Sequence, residues 1–474
     1  MRVASRIRMP GPTLPAREAE RMEARIRERL EPEPELLARL AQVRADLVRA
    51  VGEAARARQS PLVRALIAGS AARGTFLKDR LDVDLFMLFP PTLSREELAR
   101  HGLGLAEAVL TAPERRYADH PYLRGTFQGF TVDAVPGYAV TDPSHPLSPV
   151  DRTPFHDEYL RAHETPATVA DVRLAKQFLR GLGVYGSEAR TQGFSGYLVE
   201  LLVLQFAGFR PLLENARSWR IPARVRPPSE DPPRLPDEVA LILADPVDPH
   251  RNVASALSRR NLAVFVLAAD AYVADPSESW FRPRTERLLT RADGLARMAE
   301  RGTAVVVVEL PRPSLVDDTL YPQIRKAQRA LAEEVARAGF VVLGSASSAG
   351  AGGVLVAIEL ASETLPAVRI QDGPPVGLDR VGSFLEKWTR SDARVLQGPY
   401  VDEGGRLAVE ALRPEREIIP ILRGLLPRAS LGKNLTPGAH SPLPIRRLAD
   451  QPDSPELARA LTELFGKHLP WRRR

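Results

Sequence analysis

Apolar positions change period several times along the chain, and those changes divide it into regions. Residues 1–60 carry apolar side chains at helical spacing (Leu36, Leu37, Leu40, Val43, Leu47) among arginines and glutamates, which predicts helix. From there the period shortens. Ala65–Gly69 and Asp82–Phe89 are short apolar runs with strand character, and Thr126–Val135 is a third, with helical patterns around them at 94–111 and 168–181. Strands and helices mixed in this way predict an α/β or α+β region of about 150 residues. The stretch from Phe155 to Arg220 reads as mostly helical, most clearly over Asp171–Arg180 and Ser195–Trp219. A proline-rich piece at 225–237 reads as a surface loop. Strand runs return at Thr303–Leu310, Phe340–Leu343 and Val354–Leu360, with a helix over Tyr321–Ala338. The small-residue segment Gly344–Gly353 reads as a flexible hairpin loop between the last two of these strands. No internal repeat is visible, and Trp471–Arg474 reads as a frayed basic end.

A chain of 474 residues is too long for one ordinary core and long enough for about three or four domains. Its 44% apolar content places it with folded chains rather than disordered ones. The longest apolar run, around Leu201–Phe206, is far short of the ~20 residues a membrane helix needs. Met1–Arg8 has arginines without the apolar centre of a secretory signal. There is no cysteine, which excludes disulfides, thiolate metal sites and a cysteine nucleophile. A cytoplasmic protein is expected. The net charge of +7 suits a polyanionic partner, although a generally basic proteome would produce the same excess. Arginine outnumbers lysine about ten to one, so Lys176 hints at a place where a compact point charge is wanted.

The chemistry concentrates in Gly69-Ser70-Ala71-Ala72-Arg73-Gly74-Thr75, followed by Leu81-Asp82-Val83-Asp84-Leu85. Asp82 and Asp84 are two apart on an apolar strand, so both carboxylates leave the same face. Such a pair is best tolerated when a cation neutralises it, and oxygen ligands of this kind suit Mg²⁺ shared with a triphosphate. Gly69-Ser70 ends one strand and opens a helix, where glycine admits a phosphate and N–H groups can donate to it. A third acid, Asp133, sits in the apolar run Thr131–Val135, placed to deprotonate an attacking 3′-hydroxyl or hold it on a metal. These parts fit phosphoryl transfer with two metal ions and no covalent nucleophile. An Asp-x-Asp pair alone could equally be a solvated strand face. A Gly-Ser turn, eleven residues, Asp-x-Asp and a later strand acid together make a much rarer combination.

Other patterns fail on context. Gly181–Gly186 matches G-x-G-x-x-G, but a helical pattern precedes it, so these glycines read as a helix end and a turn. Gly432-Lys433 lacks the upstream glycine of a phosphate loop, and the histidines lack zinc spacing. Ser195, in Gly193–Tyr197, reads as a helix N-cap rather than a nucleophile.

Blocks beyond the carboxylates carry a resemblance: Tyr117–Tyr122, Val132–Pro136, Val150–His156, Leu174–Tyr185, Gly193–Leu198, Asp245–Pro249 with Arg251–Val253, Val316–Gln323 and Leu431–Asn434. Through them, over nearly its whole length, the chain resembles the archaeal (class I) CCA-adding enzymes, tRNA nucleotidyltransferases of the DNA polymerase β superfamily. The resemblance implies an α+β multidomain protein. Its parts would be a polymerase β-type nucleotidyltransferase head at 1–150, a helical neck at 151–260, an α/β body at 261–312 and 375–474, and a tRNA-binding tail at 313–374. It implies template-independent addition or repair of CCA at the tRNA 3′ end from CTP and ATP, with Mg²⁺ held by Asp82, Asp84 and Asp133. The partner is the acceptor and T-arm half of tRNA, and a homodimer is left open.

Beside the catalytic acids, Gly69, Ser70 and Arg73 fall on the nucleotide cradle, and Thr153, His156, Lys176 and Tyr185 match positions that hold the triphosphate. Arg251 matches the residue that helps select the base. Each has a competing structural reading: His156 as a satisfied, half-buried histidine, Tyr185 as packing, and Arg251 as a surface salt bridge to Asp245 or Asp248. Two departures stand out, with Gly74 where the family often has Asn and Asp119 where a longer Glu is usual. The insertion at 225–237 is peculiar to this chain. The alternative within the same chemistry is a general RNA 3′-tailing enzyme of the poly(A) or poly(U) type. A non-catalytic RNA-binding protein is opposed by the intact acid trio, which is costly to keep unused.

Overall fold

Met22 and Ile26 recur one helical turn apart in α1 (Ala16–Leu30), and Leu40, Val43, Leu47, Val51 and Ala55 do the same in α2 (Pro34–Ala57). Both stripes are buried, but in different cores. The computed structural model describes residues 16–117, 121–225, 239–283, 287–390, 394–436 and 443–472. They form two compact units, 1–285 with 469–474 and 286–468. Asp119 and the proline-rich insertion, apart from Val225, lie outside the described residues.

In the first unit α2 covers a five-stranded sheet built from β1 (Arg64–Ala68), β2 (Asp82–Phe89), β3 (Thr111–Tyr117), β4 (Pro121–Phe127) and β5 (Phe130–Tyr138), in the order β1-β2-β5-β4-β3. The one-turn helix α3 (Gly69–Arg73) follows β1, and α4 (Arg95–Val109) crosses between β2 and β3. Within this sheet β2 and β5 pair in parallel and the other neighbours antiparallel. Val83, Leu85, Met87 and Phe89 alternate into the core, which leaves Asp82 and Asp84 on the other face. The run Thr126–Val135, expected as one strand, is a hairpin. Gln128 (φ 47°) and Gly129 (φ 83°) form its two-residue turn, with both residues in the left-handed region such tight turns demand.

The helical part follows: α5 (Thr153–His163), α6 (Pro166–Leu182), α7 (Gly196–Gln205), α8 (Phe209–Ala216) and α9 (Arg259–Ala274), with the short parallel pair β6 (Ala223–Arg224) and β7 (Leu241–Ile242). The segment expected as one helix over Ser195–Trp219 breaks at Ala207 (φ 57°) and Gly208 (φ 140°). Phe178, Phe209, Tyr272, Trp280 and Phe281 form its aromatic centre, with ring centroids 5.3–6.0 Å apart. Among the described residues no single helix is long and apolar enough to cross a membrane.

The second unit contains α10 (Arg291–Arg301), β8 (Ala304–Leu310), α11 (Asp317–Arg337), β9 (Val342–Gly350), β10 (Gly353–Leu360), β11 (Val368–Pro375), α12 (Val381–Thr389), β12 (Val395–Val401), β13 (Arg406–Leu412), α13 (Ile418–Leu425), β14 (Ile445–Arg447) and α14 (Pro455–Phe465). Its antiparallel sheets run β14-β8-β10-β9 and β11-β13-β12. Gly344–Gly350, expected as part of a loop, is ordered strand. Ser347 hydroxyl donates to Gln328 on α11 at 2.6 Å, Arg459 on α14 donates to Ser348 at 3.0 Å, and a Cβ at Gly350 would lie 1.7 Å from Glu456 Oε1. The small residues are there because helices press on both faces. The chain passes from the first unit to the second at 285/286, and β8, within 261–312, is hydrogen-bonded to β10, within 313–374.

Candidate active site

Parallel pairing of β2 with β5 sets Asp84 opposite Asp133, with Asp82 opposite Thr131 two residues earlier. On the other side β1 pairs Ala68 with Asp84, so the chain turns at Gly69 directly against that carboxylate. Gly69 has φ 74°, and a Cβ there would fall 2.3 Å from Asp84 Oδ2. Glycine is required on both counts. Helix α3 has only five residues, so its dipole is small and the turn offers individual N–H groups instead. The three carboxylates and Ser70 line a cavity of about 270 Å³, closed in part by Phe76, Tyr185, Ser195 and Gly196.

The trio is electrostatically unbalanced. Burial pushes the Asp84 carboxyl up to about 7, and the charges of Asp133 and Asp82 push the same way. Arg124 answers them at contact distance, donating from Nε and Nη2 to the two oxygens of Asp133 at 2.7 and 2.6 Å and from Nη2 to Asp82 at 3.2 Å, while Arg80 also lines the cavity and the Arg73 charge opposes the rise of Asp84. Hydrogen bonding to Asp133 holds that guanidinium above its ordinary range. Arg124 lies opposite Asp133 on β4, a position evident only once the strands are paired. Among the described residues no three His, Asp or Glu side chains converge closely enough to enclose an ion alone. Mg²⁺ does not need such a cage, since it takes one or two carboxylates and completes its shell with water and phosphate oxygens. The buried, uncompensated charge around Asp84 fits that cation.

Arg73 and Lys176, expected to meet the nucleotide, are paired with carboxylates of the chain. Both enter a buried ion network centred on Glu200 of α7. Lys176 is 1% exposed, and its Nζ donates to Glu200 Oε1 at 2.9 Å and to the Thr75 carbonyl at 3.0 Å. Arg73 donates to Glu200 Oε2 at 2.7 Å and to Asp157. The Thr75 hydroxyl completes the ring at 2.5 Å from Glu200. Burial alone would raise the Glu200 carboxyl, but Lys176 and Arg73 hold it well below the usual range. The network therefore ties the Gly69–Thr75 turn to α5, α6 and α7. Neither cation lines the cavity. A lone glutamate in the apolar run Tyr197–Phe206 was the available signal for it.

His156 and Arg251 meet on Asp245. His156 Nε2 lies 2.8 Å and Arg251 Nη1 2.6 Å from Asp245 Oδ2, while the Tyr197 hydroxyl donates to Oδ1 at 2.9 Å. Arg251 thus makes the salt bridge to Asp245 that the structural reading anticipated. Thr153 stands half-buried in the first turn of α5. Ser195 caps α7 as expected, accepting from the Leu198 N–H at 3.1 Å, and Gly183 ends α6 in the left-handed region.

Three family descriptions match this chain in succession: "Nucleotidyltransferase domain" at 48–156, "tRNA nucleotidyltransferase, second domain" at 170–282 and "CCA-adding enzyme, C-terminal domain" at 301–440. The CCA-adding enzyme of Haloarcula marismortui is 40% identical over 405 residues, covering 82% of this chain and 85% of its own. That of Halobacterium salinarum is 39% identical over 413 residues, covering 87% and 90%. The chain belongs to the CCA-adding enzyme family. The CCA-adding enzyme of Methanosarcina barkeri, 35% identical, covers 88% of this chain and 91% of its own. As a CCA-adding enzyme it is a nucleotidyltransferase, and the nucleotidyltransferase domain that the first match names carries the acid trio.

Within this CCA-adding enzyme the structure brings Ser70, Asp82, Asp84, Asp133 and Tyr185 to one cavity and sets Gly69 against Asp84. It gathers His156 and Arg251 on a second cluster and buries Arg73 and Lys176 in a third.

Proposed function

We propose that this chain appends C, C and A to the 3′ end of tRNA from CTP and ATP, without a template and with Mg²⁺ as its cation. The register that sets Asp84 opposite Asp133, with the Gly69 backbone against Asp84, is the observation that carries this reading. The 3′-hydroxyl oxygen attacks the α-phosphorus, the bond to the β-phosphate breaks, and diphosphate leaves. Ser70 and the N–H groups of its turn hold the triphosphate, and Tyr185 contributes a phenol from the opposite wall. Asp133 receives the hydroxyl proton. While Arg124 grips both of its oxygens it is a poor base, so the guanidinium gives up at least one of them. When bound, Mg²⁺ stabilises the charge gathering on the phosphoryl and diphosphate oxygens. Lys176 and Arg73 act through the turn they anchor, while His156, Thr153 and Arg251 serve the nucleotide from the helical side.

Residues 1–150 would then catalyse, the helical part would bind nucleotide, and the second unit with its 313–374 segment would hold the acceptor arm. The net charge of +7 over the whole chain supports phosphate contacts on an A-form arm, and the cytoplasm is the compartment such a substrate implies. The test is incubation of tRNA lacking its 3′ CCA with CTP, ATP and Mg²⁺, followed by sequencing of the ends. Termination at CCA is expected. A run-on homopolymer would favour a general tailing enzyme, and no extension at all would leave only RNA binding.

A further inference from the structure

Asp245 is wholly buried, yet it is the meeting point of four donors. Oδ2 faces His156 Nε2 and Arg251 Nη1 at 2.8 and 2.6 Å, and Oδ1 accepts from the Tyr197 hydroxyl at 2.9 Å and the Val247 N–H at 3.1 Å. These donors come from α5, from α7 and from the loop that carries Asp245 itself. A second pair repeats the attachment three residues on, where Arg152 Nε and Nη2 lie 2.9 and 2.8 Å from Asp248 Oδ2. Residues 245–251 are therefore fastened at two points to the start of α5. The His156 ring stacks on Tyr197 with centroids 4.1 Å apart, and Tyr197 directly follows Gly196, which lines the catalytic cavity. Arg251 differs from its neighbours in being 36% exposed at the side chain, so part of its donor fork faces outward.

A buried carboxylate is costly unless its lone pairs are filled, and this one is filled from the two residues implicated in nucleotide binding. We propose that Asp245 is a positioning residue for nucleotide selection, fixing Arg251 in one orientation and locking it to His156 so that CTP and ATP are accepted and other nucleotides refused. This rests on the reading of Arg251 as the residue that selects the base. A guanidinium tied by one nitrogen cannot rotate its remaining donors freely, which is how a single side chain can present a fixed pattern to a base edge.

The test is Asp245→Asn, which keeps the shape and removes the charge, assayed with all four nucleoside triphosphates on tRNA ending before C, after C and after CC. Expected are KM values for CTP and ATP raised about tenfold, UTP and GTP incorporation raised by a similar factor, and kcat changed less than about threefold. In an Arg251→Ala background the same substitution should have no further effect on selectivity, because both act through one group. Lower stability or kcat with KM and selectivity unchanged would overturn the proposal. Unchanged selectivity in Arg251→Ala alone would instead overturn the reading beneath it. If Asp245→Asn does not fold, Tyr197→Phe, which removes one of the four donors, should shift selectivity in the same direction, and no shift there would overturn the proposal.

Discussion

Two polar clusters share the turn Gly69–Thr75, and they handle charge in opposite ways. At its end, Arg73 and Thr75 join Lys176, Glu200 and Asp157 in a network where these two carboxylates each have a cation at contact distance, and Glu164, 3.6 Å from Arg73 Nε, is the acid left poorly matched. At its start, Gly69 and Ser70 face three carboxylates, two of them bonded to Arg124, with Asp84 displaced to about 7 by burial and by its acidic neighbours. Side-chain chemistry alone does not separate the two, since both contain Asp, Arg and a hydroxyl. The supply of cations does. A network in which each cation is held by a buried carboxylate is scaffold, whereas an acid cluster left short of cations is where a charged ligand enters.

The comparison can be broken first at the trio. Asp84→Asn and Asp133→Asn should each lower turnover about a thousandfold, or ~4 kcal/mol of barrier, with an unchanged melting temperature. Retention of more than a tenth of the rate would place the chemistry elsewhere. The Glu200 cluster should respond in stability instead. Glu200→Ala strands Lys176 and Arg73 in the interior and should cost about 3–5 kcal/mol in denaturant unfolding. A loss below about 1 kcal/mol would mean the network is not what holds the turn.

Arg124→Gln sharpens the contrast further, because it deepens the imbalance of the trio without touching an acid. Nucleotide-free protein should then bind Mn²⁺ several-fold more tightly by titration calorimetry, having lost a competing cation. Weaker binding would show that Arg124 orients the ligands rather than competing for them.

The smallest effect belongs to Glu164, whose carboxyl burial pushes up to about 7, with Glu200 adding to the shift and Arg73 and Lys176 opposing it. Its ordinary value is 4.5, so across that window the folded chain holds a proton the unfolded chain has released. Stability should therefore fall as pH rises from about 4.5 to about 7, and Glu164→Gln should flatten that slope in melting curves. An unaltered slope in the variant would assign the dependence to another group.

Residue spacing made the trio legible. Alternation in Asp82–Phe89 fixed both the strand and the face of its acids, and Asp133 followed from the same logic. Arg124 was not legible, because its meeting with Asp133 depends on which strands pair across a hairpin. That hairpin was itself hidden, since apolar residues flank Gln128 and Gly129 so closely that the run reads as unbroken. Gly344–Gly350 misled in the other direction: Gly, Ser and Ala signal a loop unless helices on both faces leave room for nothing larger. Lys176 drew notice because lysine is scarce and Arg73 because it follows the Gly-Ser turn, but whether a cation serves a ligand or a buried glutamate depends on three-dimensional neighbours such as Glu200.

The placement of β14 has a consequence for how the chain is made. β8 is rich in valine and stands between β10 and β14, yet Ile445–Arg447 is synthesised long after Leu310. Throughout that interval a ribosome-bound chain carries a naked, strongly β-forming edge, open to any passing strand. The three residues that finally cover it bring Arg446 and Arg447, which pair with Glu309, Glu363 and Glu417 and leave a short, charged border in place of a long apolar one. Translation that stops before Ile445 would release a polypeptide with that border missing, prone to aggregate through β8.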